Sequence, residues 1–108
     1  MRDEDKKRIA HQALVDRILA GPGKTSPALR AQAFANTHVP ADLQALIGTV
    51  ATKPTEVTDA DFTAAKSAGF SEDELFELVI SAAVGQSTRL DEAGLAALAK
   101  ATSNGTDR

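Results

Sequence analysis

The sequence predicts an all-α protein: a small bundle of about five helices with a long C-terminal helix. Of its 108 residues, 21 are alanine and only four are aromatic, all of them phenylalanine. That composition suits helices packed closely through small side chains and disfavours a β-sheet. Five segments also carry apolar residues at helical spacing between start and stop signals. We expect one domain over residues 1–102 and a flexible tail at 103–108.

The first two predicted helices lie on either side of a Gly-Pro-Gly turn. The first runs from about Asp3 to Ala20, with acidic residues in its first turn, where the helix dipole favours negative charge. Gly21-Pro22-Gly23 ends it. The second begins at Ser26-Pro27, which provides an N-cap followed by proline at the first helical position.

The third and fourth predicted helices are short and amphipathic. The third follows Pro40, ends at Lys53-Pro54, and has an apolar stripe at i, i+3, i+4 and i+7, formed by Leu43, Leu46, Ile47 and Val50. The fourth opens at Thr58 with a sequence similar to a capping box and ends at Gly69, a residue suited to the left-handed conformation. Its inner face is expected to carry Phe62 and Ala65.

The fifth predicted helix has the clearest start in the chain. Ser71 and Glu74 form an S-x-x-E capping box, and Phe70 and Leu75 form the matching hydrophobic staple. An inward-facing row is predicted through Leu75, Val79, Ala82, Gln86, Leu90, Ala93 and Ala97. This row indicates either one long helix or two nearly collinear helices bent at Gly85.

A polar interruption, Gly85-Gln86-Ser87-Thr88-Arg89, breaks the apolar run of that helix. Two of its side chains and one histidine are the candidate pocket residues: His38, Gln86 and Arg89. The Arg89 guanidinium could bind a carboxylate, and His38 could act as a general base near neutral pH. Alternatively, Arg89 pairs with Glu92 on the helix surface. No catalytic residue is assigned.

Three other features receive structural interpretations. The segment Gly21–Ser26 is similar to the end of a phosphate-binding loop, but Ile18 occupies the position of the motif's first glycine and a helix precedes it, so we expect a plain interhelical loop. Glu77 is expected on the exposed side of its helix. If it were buried instead, its pKa would rise and it could act as a general acid or base. His11 is expected on the surface of the first helix.

Composition excludes several classes of function. The chain has no cysteine, which rules out disulfides, thiolate metal sites and thiol redox chemistry. The two histidines have no metal-ligand spacing, and we expect neither a metal nor another cofactor. We see no secretion signal and no apolar run of about 18 residues, so a cytoplasmic protein without membrane contact is expected.

The charge of the chain is distributed unevenly. Residues 1–53 hold eight Lys/Arg against five Asp/Glu, or +3, and residues 54–108 hold four against ten, or −6. A nucleic-acid surface would need a denser basic stripe and, for single strands, stacking aromatic residues. A nucleic-acid partner is therefore not expected.

Several segments together resemble one known family. They are Val57–Phe62, Ala68–Val79, Ala82–Gly85, Arg89-Leu90 and Leu98. In these segments the chain is similar to the alkylhydroperoxidase D-like and carboxymuconolactone decarboxylase superfamily, over about residues 40–100. The resemblance implies an all-α fold that assembles as a homo-oligomer, usually a dimer, trimer or hexamer.

The resemblance also implies that peroxidase activity is absent. Peroxidase-type members carry C-x-x-C-x-x-x-H, and this pattern falls on Ser87, Leu90 and Gly94, none of which is the required residue. A thiol-based redox step is therefore impossible here. We expect an oligomeric binding or accessory protein. The alternative is a lyase or decarboxylase acting on a small organic acid.

Overall fold

A computed structural model describes the backbone of residues 3–106 and the side chains of residues 5–102. This part of the chain contains no β-strand, and it folds into five α-helices: α1 (Asp3–Ala20), α2 (Pro27–Ala35), α3 (Gln44–Thr52), α4 (Asp59–Ser67) and α5 (Glu72–Thr106). The predicted all-α fold with a long C-terminal helix is confirmed.

The helix boundaries follow the local signals in the sequence. Ser26 Oγ accepts a hydrogen bond from the backbone N–H of Leu29 (3.1 Å) at the start of α2. At the start of α5, Ser71 Oγ accepts from the Glu74 N–H (3.1 Å), while Glu74 Oε1 accepts from the Ser71 N–H (2.9 Å). Both partners of the predicted capping box are thus in place. Gly69 takes a positive φ of 108° and ends the preceding helix as expected.

The core lies where α2, α3 and α4 pack against the first half of α5. All four members of the predicted α3 stripe are buried, and short 3₁₀ turns at Ala41–Leu43 and Pro54–Glu56 flank that helix. The core cluster consists of Ala33, Val39, Leu43, Leu46, Ile47, Val50, Ala65, Leu75, Leu78 and Ala82. Helix α5 therefore forms the spine of the bundle, but only along its N-terminal half.

Helix α5 passes through Gly85 as one continuous helix. A Cβ atom at Gly85 would overlap the carbonyl oxygen of Phe34 and would lie 2.7 Å from the Phe34 carbonyl carbon. The glycine is therefore required by the close approach of α2. The first of the two alternatives, a single long helix, is the one observed.

The predicted inward row stops halfway along α5. Leu75 and Ala82 are buried and Val79 and Gln86 are partly buried, but Leu90 is 64 % exposed. Ala93 and Ala97 are exposed too, so their predicted burial is wrong. The apolar periodicity continues, but α2 ends at Ala35 and no described residue covers the row beyond this point.

The uncovered half of α5 makes the molecule elongated. Helix α5 extends four residues into the segment predicted as a tail, to Thr106, and residues 107–108 lie outside the described residues. The longest dimension is 59 Å, and the radius of gyration is 16.6 Å. A compact chain of this length has a radius of gyration of about 13 Å. Among the residues that the structure describes, no helix is both long and apolar enough to cross a membrane.

Candidate functional site

At the polar interruption of α5, side chains of this helix form hydrogen bonds with α1 and α2. Arg89 Nη1 donates a hydrogen bond to the carbonyl oxygen of Phe34 (2.7 Å), close to the C-terminal end of α2, where a cation also suits the helix dipole. One residue earlier, Thr88 Oγ1 lies 2.7 Å from His11 Nε2 of α1. Because the Thr88 hydroxyl hydrogen is donated to the Val84 carbonyl oxygen (2.8 Å), the histidine N–H is the donor in this contact.

The structure places His11, Arg89 and His38 differently from the sequence-based expectations. His11 is not a bare surface residue, because α1 packs on α5 through it. Arg89 bonds to the backbone of α2, and no ion pair with Glu92 is found in the part of the chain with described side chains. His38 is exposed and has a positive φ of 58°, just after the end of α2. Neither of the two cavities described below is lined by His38, Gln86 or Arg89.

The loop between α1 and α2 binds the carboxylate of Glu77, a residue of α5. Glu77 accepts three hydrogen bonds: from the Lys24 N–H (2.6 Å), the Thr25 N–H (2.9 Å) and the Thr25 hydroxyl (2.7 Å). A Cβ atom on Gly23 would lie 2.7 Å from Glu77 Oε1, so glycine permits this close approach. Consecutive backbone N–H groups of this kind can form anion-binding concavities.

The electrostatics of this cluster keep Glu77 ionised. Partial burial by itself would raise the pKa of its carboxyl group. The hydrogen bonds from Lys24 and Thr25, together with the positive charge of Arg30, outweigh that effect and lower the pKa below its ordinary value. Glu77 is therefore partly buried and charged, rather than exposed as expected or neutral, as an acid catalyst would be. Its hydrogen-bond partners, Lys24 and Thr25, lie more than 50 residues away in sequence, so no local signal reveals them.

Arg30, in α2, is a charged side chain that is almost fully buried. Only 4 % of its surface is exposed. Arg30 Nη1 donates to the carbonyl oxygen of Ile18 (2.7 Å), and the buried Nε atom has no hydrogen-bond partner. Arginine is rarely buried without an acidic partner, and sequence patterns gave no sign of this residue. It is the functional candidate that sequence reasoning missed.

A small open cavity lies beside Arg30, between α1, the following loop, α2 and α5. Its volume is about 190 Å³. Two arginines and one carboxylate contribute its charged groups, Arg17, Arg30 and Glu77, and its apolar walls come from Ile18, Pro22, Phe76 and Ile80. An arrangement of this kind suits a small ligand with one negative charge and one apolar part.

A second, larger cavity of about 370 Å³ lies on the other side of Phe76. Its apolar lining comes from Phe62, Leu75, Phe76 and Val79. Lys66 and Glu72 line it as well and form an ion pair (2.7 Å). Lys66, through its hydrogen bond and its charge, lowers the pKa of Glu72. The pair is exposed, and such pairs contribute little to stability.

Three of the large exposed apolar side chains, Leu90, Leu95 and Leu98, lie on the C-terminal half of α5. We call residues 90–106 the α5 arm; each of its described side chains, 90–102, is exposed. Leu90, Gly94, Leu98 and Ala101 follow one another at intervals of four, four and three residues, so they share one side of the helix. Leu95 flanks this stripe. Ile9 and Leu14 add exposed apolar side chains on α1.

The accessible surface of the chain is also larger than that of a compact monomer. It measures 7297 Å², whereas a compact monomer of 11.3 kDa exposes about 5,700 Å². The excess of about 1,600 Å² is larger than the roughly 800 Å² that each partner buries in a standard interface. The molecule therefore exposes more total surface than a compact chain of its mass, by an amount large enough for a contact with another chain.

Ser87, Leu90 and Gly94, the positions on which the C-x-x-C-x-x-x-H pattern falls if the resemblance holds, are exposed on α5. Within the described residues, no three histidine or acidic side chains lie close enough to hold a metal ion. Comparison of the chain with protein-family models, curated proteins and solved structures found no match.

Proposed function

We propose that this chain is a cytoplasmic helical protein that self-associates through its α5 arm and serves as a binding or accessory module. The observation that carries this function is the stripe of Leu90, Gly94, Leu98 and Ala101, which is exposed on a helix with no covering element among the described residues. An alkylhydroperoxidase D-like ancestry without the redox residues would fit an assembly role, because it combines helical oligomerisation with an inert centre.

Small residues on the stripe favour helix-to-helix contact. A Cβ atom at Gly94 would meet no other atom within 4 Å, so nothing inside the chain requires glycine there. Glycine and alanine let two helices approach closely, and the flanking leucines supply apolar area. In a two-fold symmetric pair the same stripe is used by both copies. A homo-oligomer built on the α5 arm is the simplest assembly that buries it.

The oligomeric state tests this function directly. Size-exclusion chromatography with light scattering should show a dimer or larger assembly at micromolar concentration. The double variant Leu90→Glu/Leu98→Glu places charges on the stripe of both copies. Because burying each leucine is worth about 1.5–3 kcal/mol, the dissociation constant should rise at least about a hundredfold.

Ala96→Glu is the matched control. It adds the same side chain to the arm, but on the side opposite the stripe, and should leave the assembly unchanged. Far-UV circular dichroism checks that both variants remain helical. A wild-type chain that is strictly monomeric at micromolar concentration, or an Ala96→Glu variant that dissociates as readily as the double variant, would refute self-association through the stripe.

A further inference from the structure

Arg30 is a buried cation that forms no ion pair with any described carboxylate, although Glu77 is near enough for the two charges to attract each other. The two oxygens of Glu77 are already engaged by three loop donors, and Lys66–Glu72 is the one ion pair found among side chains 5–102. Arg30 gives one hydrogen bond to a backbone carbonyl and leaves Nε unpaired. A buried charge in this condition is destabilising, and an added anion would recover part of that free energy.

The cavity beside Arg30 gives such an anion a place to bind. It is lined by Arg30 from inside the fold and by Arg17 from the exposed side of α1. With the negative charge of Glu77 included, the three ionised groups sum to one positive charge. This balance favours a monoanion over a dianion, because the second charge of a dianion would face the Glu77 carboxylate without compensation.

The size and walls of the cavity restrict the ligand further. A volume of about 190 Å³ equals the space of about six water molecules. Ile18, Pro22, Phe76 and Ile80 supply apolar contacts that a purely polar ion such as phosphate cannot use. A short aliphatic chain that ends in a carboxylate matches both the charge and the walls, because the exposed guanidinium of Arg17 can bind a carboxylate through paired N–H groups while Arg30 adds positive charge from inside the fold.

We propose that the cavity formed by Arg17, Arg30, Ile18, Pro22, Phe76 and Ile80 binds a short-chain monocarboxylic acid. The carboxylate lies against the two arginines, and the aliphatic part lies against the apolar walls. This site is separate from the α5 arm and from the region of Gln86 and Arg89, where the sequence had suggested an organic-acid site. It requires binding only and involves no bond-breaking step.

The test uses butyrate as the probe, followed by NMR chemical shifts of the backbone amides and by calorimetry. We expect butyrate to bind at millimolar concentration and to shift amides of the α1–α2 loop. Butyramide, which lacks the charge, should bind at least about tenfold more weakly, the loss expected for one charged hydrogen bond. Inorganic phosphate keeps a charge but lacks the aliphatic part, and it should also bind at least about tenfold more weakly because the contacts of the buried CH2 groups are lost. The double variant Leu90→Glu/Leu98→Glu should bind butyrate normally, which separates this site from self-association.

Two arginine variants of α1 provide the decisive comparison. Arg17→Gln removes an exposed charge at the cavity and should weaken butyrate binding about tenfold, while Arg8→Gln removes the same charge from an exposed position closer to the start of the helix and should have no effect. Arg30→Lys should also weaken binding if the variant folds. Absence of butyrate binding, equal binding of phosphate, or equal effects of Arg17→Gln and Arg8→Gln would each overturn the assignment.

Discussion

Adding one methyl group to α5, in the variant Gly85→Ala, should destabilise the bundle even though alanine is the better helix former. The new Cβ atom would overlap the carbonyl oxygen of Phe34 and lie 2.7 Å from its carbonyl carbon. Carbon atoms pack at about 3.5–4.0 Å, so α2 would have to move away from α5 by about 1 Å. That movement also draws the Phe34 carbonyl away from Arg89, which now donates to it.

The magnitude follows from three contributions. Overpacking of a well-filled contact costs about 1–3 kcal/mol. Weakening the Arg89 hydrogen bond adds about 1 kcal/mol, and the higher helix propensity of alanine returns about 1 kcal/mol. A net loss of about 2 kcal/mol in the free energy of unfolding corresponds to a fall in Tm of about 8–16 °C.

Chemical denaturation followed by far-UV circular dichroism is the appropriate assay, because the chain contains no tryptophan or tyrosine for fluorescence. All variants should be compared at one protein concentration, since association raises apparent stability. Gly48→Ala is the matched control: a Cβ atom there meets nothing within 4 Å, so this variant should gain up to about 1 kcal/mol. If Gly85→Ala were as stable as the wild type while Gly48→Ala gained stability, the close contact of α2 with α5 would be wrong.

Two further variants test the loop cluster and the start of α5. Glu77→Gln should lose about 1–3 kcal/mol at neutral pH, and, because the folded-state pKa of Glu77 lies below its ordinary 4.5, its stabilisation is present above pH 4.5 and is lost as the pH falls through the lower folded value. The stability difference from wild type should therefore shrink on acidification, whereas Glu92→Gln, at an exposed position, should differ little at any pH. Ser71→Ala removes the oxygen that accepts from Glu74 and should cost about 1 kcal/mol in urea denaturation. An equal loss in Ser87→Ala, at an exposed position in the same helix, would contradict a capping role for Ser71.

The sequence predicted those parts of the fold that local interactions determine. The Ser71 capping box needs only a serine and a glutamate three residues apart, and the α3 stripe needs only one amphipathic helix. The same reasoning predicted that Leu90 is buried, and this was wrong, because helical periodicity shows which side chains share a face but not where the covering helix ends. That boundary is set by the end of α2, more than 50 residues earlier in the chain.

The site residues were harder to predict because their partners are distant in sequence. The sequence predicts that Arg89 binds a carboxylate ligand or pairs with Glu92 on the helix surface. In the structure it donates a hydrogen bond to the Phe34 carbonyl oxygen instead. The local sequence predicts an exposed Glu77, whereas the structure shows the α1–α2 loop donating hydrogen bonds to its carboxylate. The loop and Glu77 each carried an informative pattern, a glycine-rich turn and an acid in an apolar helix. Only the tertiary structure shows that the glycine-rich turn binds the acidic side chain of the apolar helix.

Helix α5 combines a half that is buried in the fold with a half that, in the proposed assembly, contacts a second copy. An isolated helix must first form a costly nucleus, because fixing its first turn is unfavourable in water. Here the buried half of α5 provides the nucleus, and an alanine-rich sequence only has to propagate the helix. Helicity of the arm therefore needs no partner, but its exposed leucines gain free energy only when a partner covers them. Gly85 and Gly94 mark this division, since the first is closed in by α2 and the second faces open space.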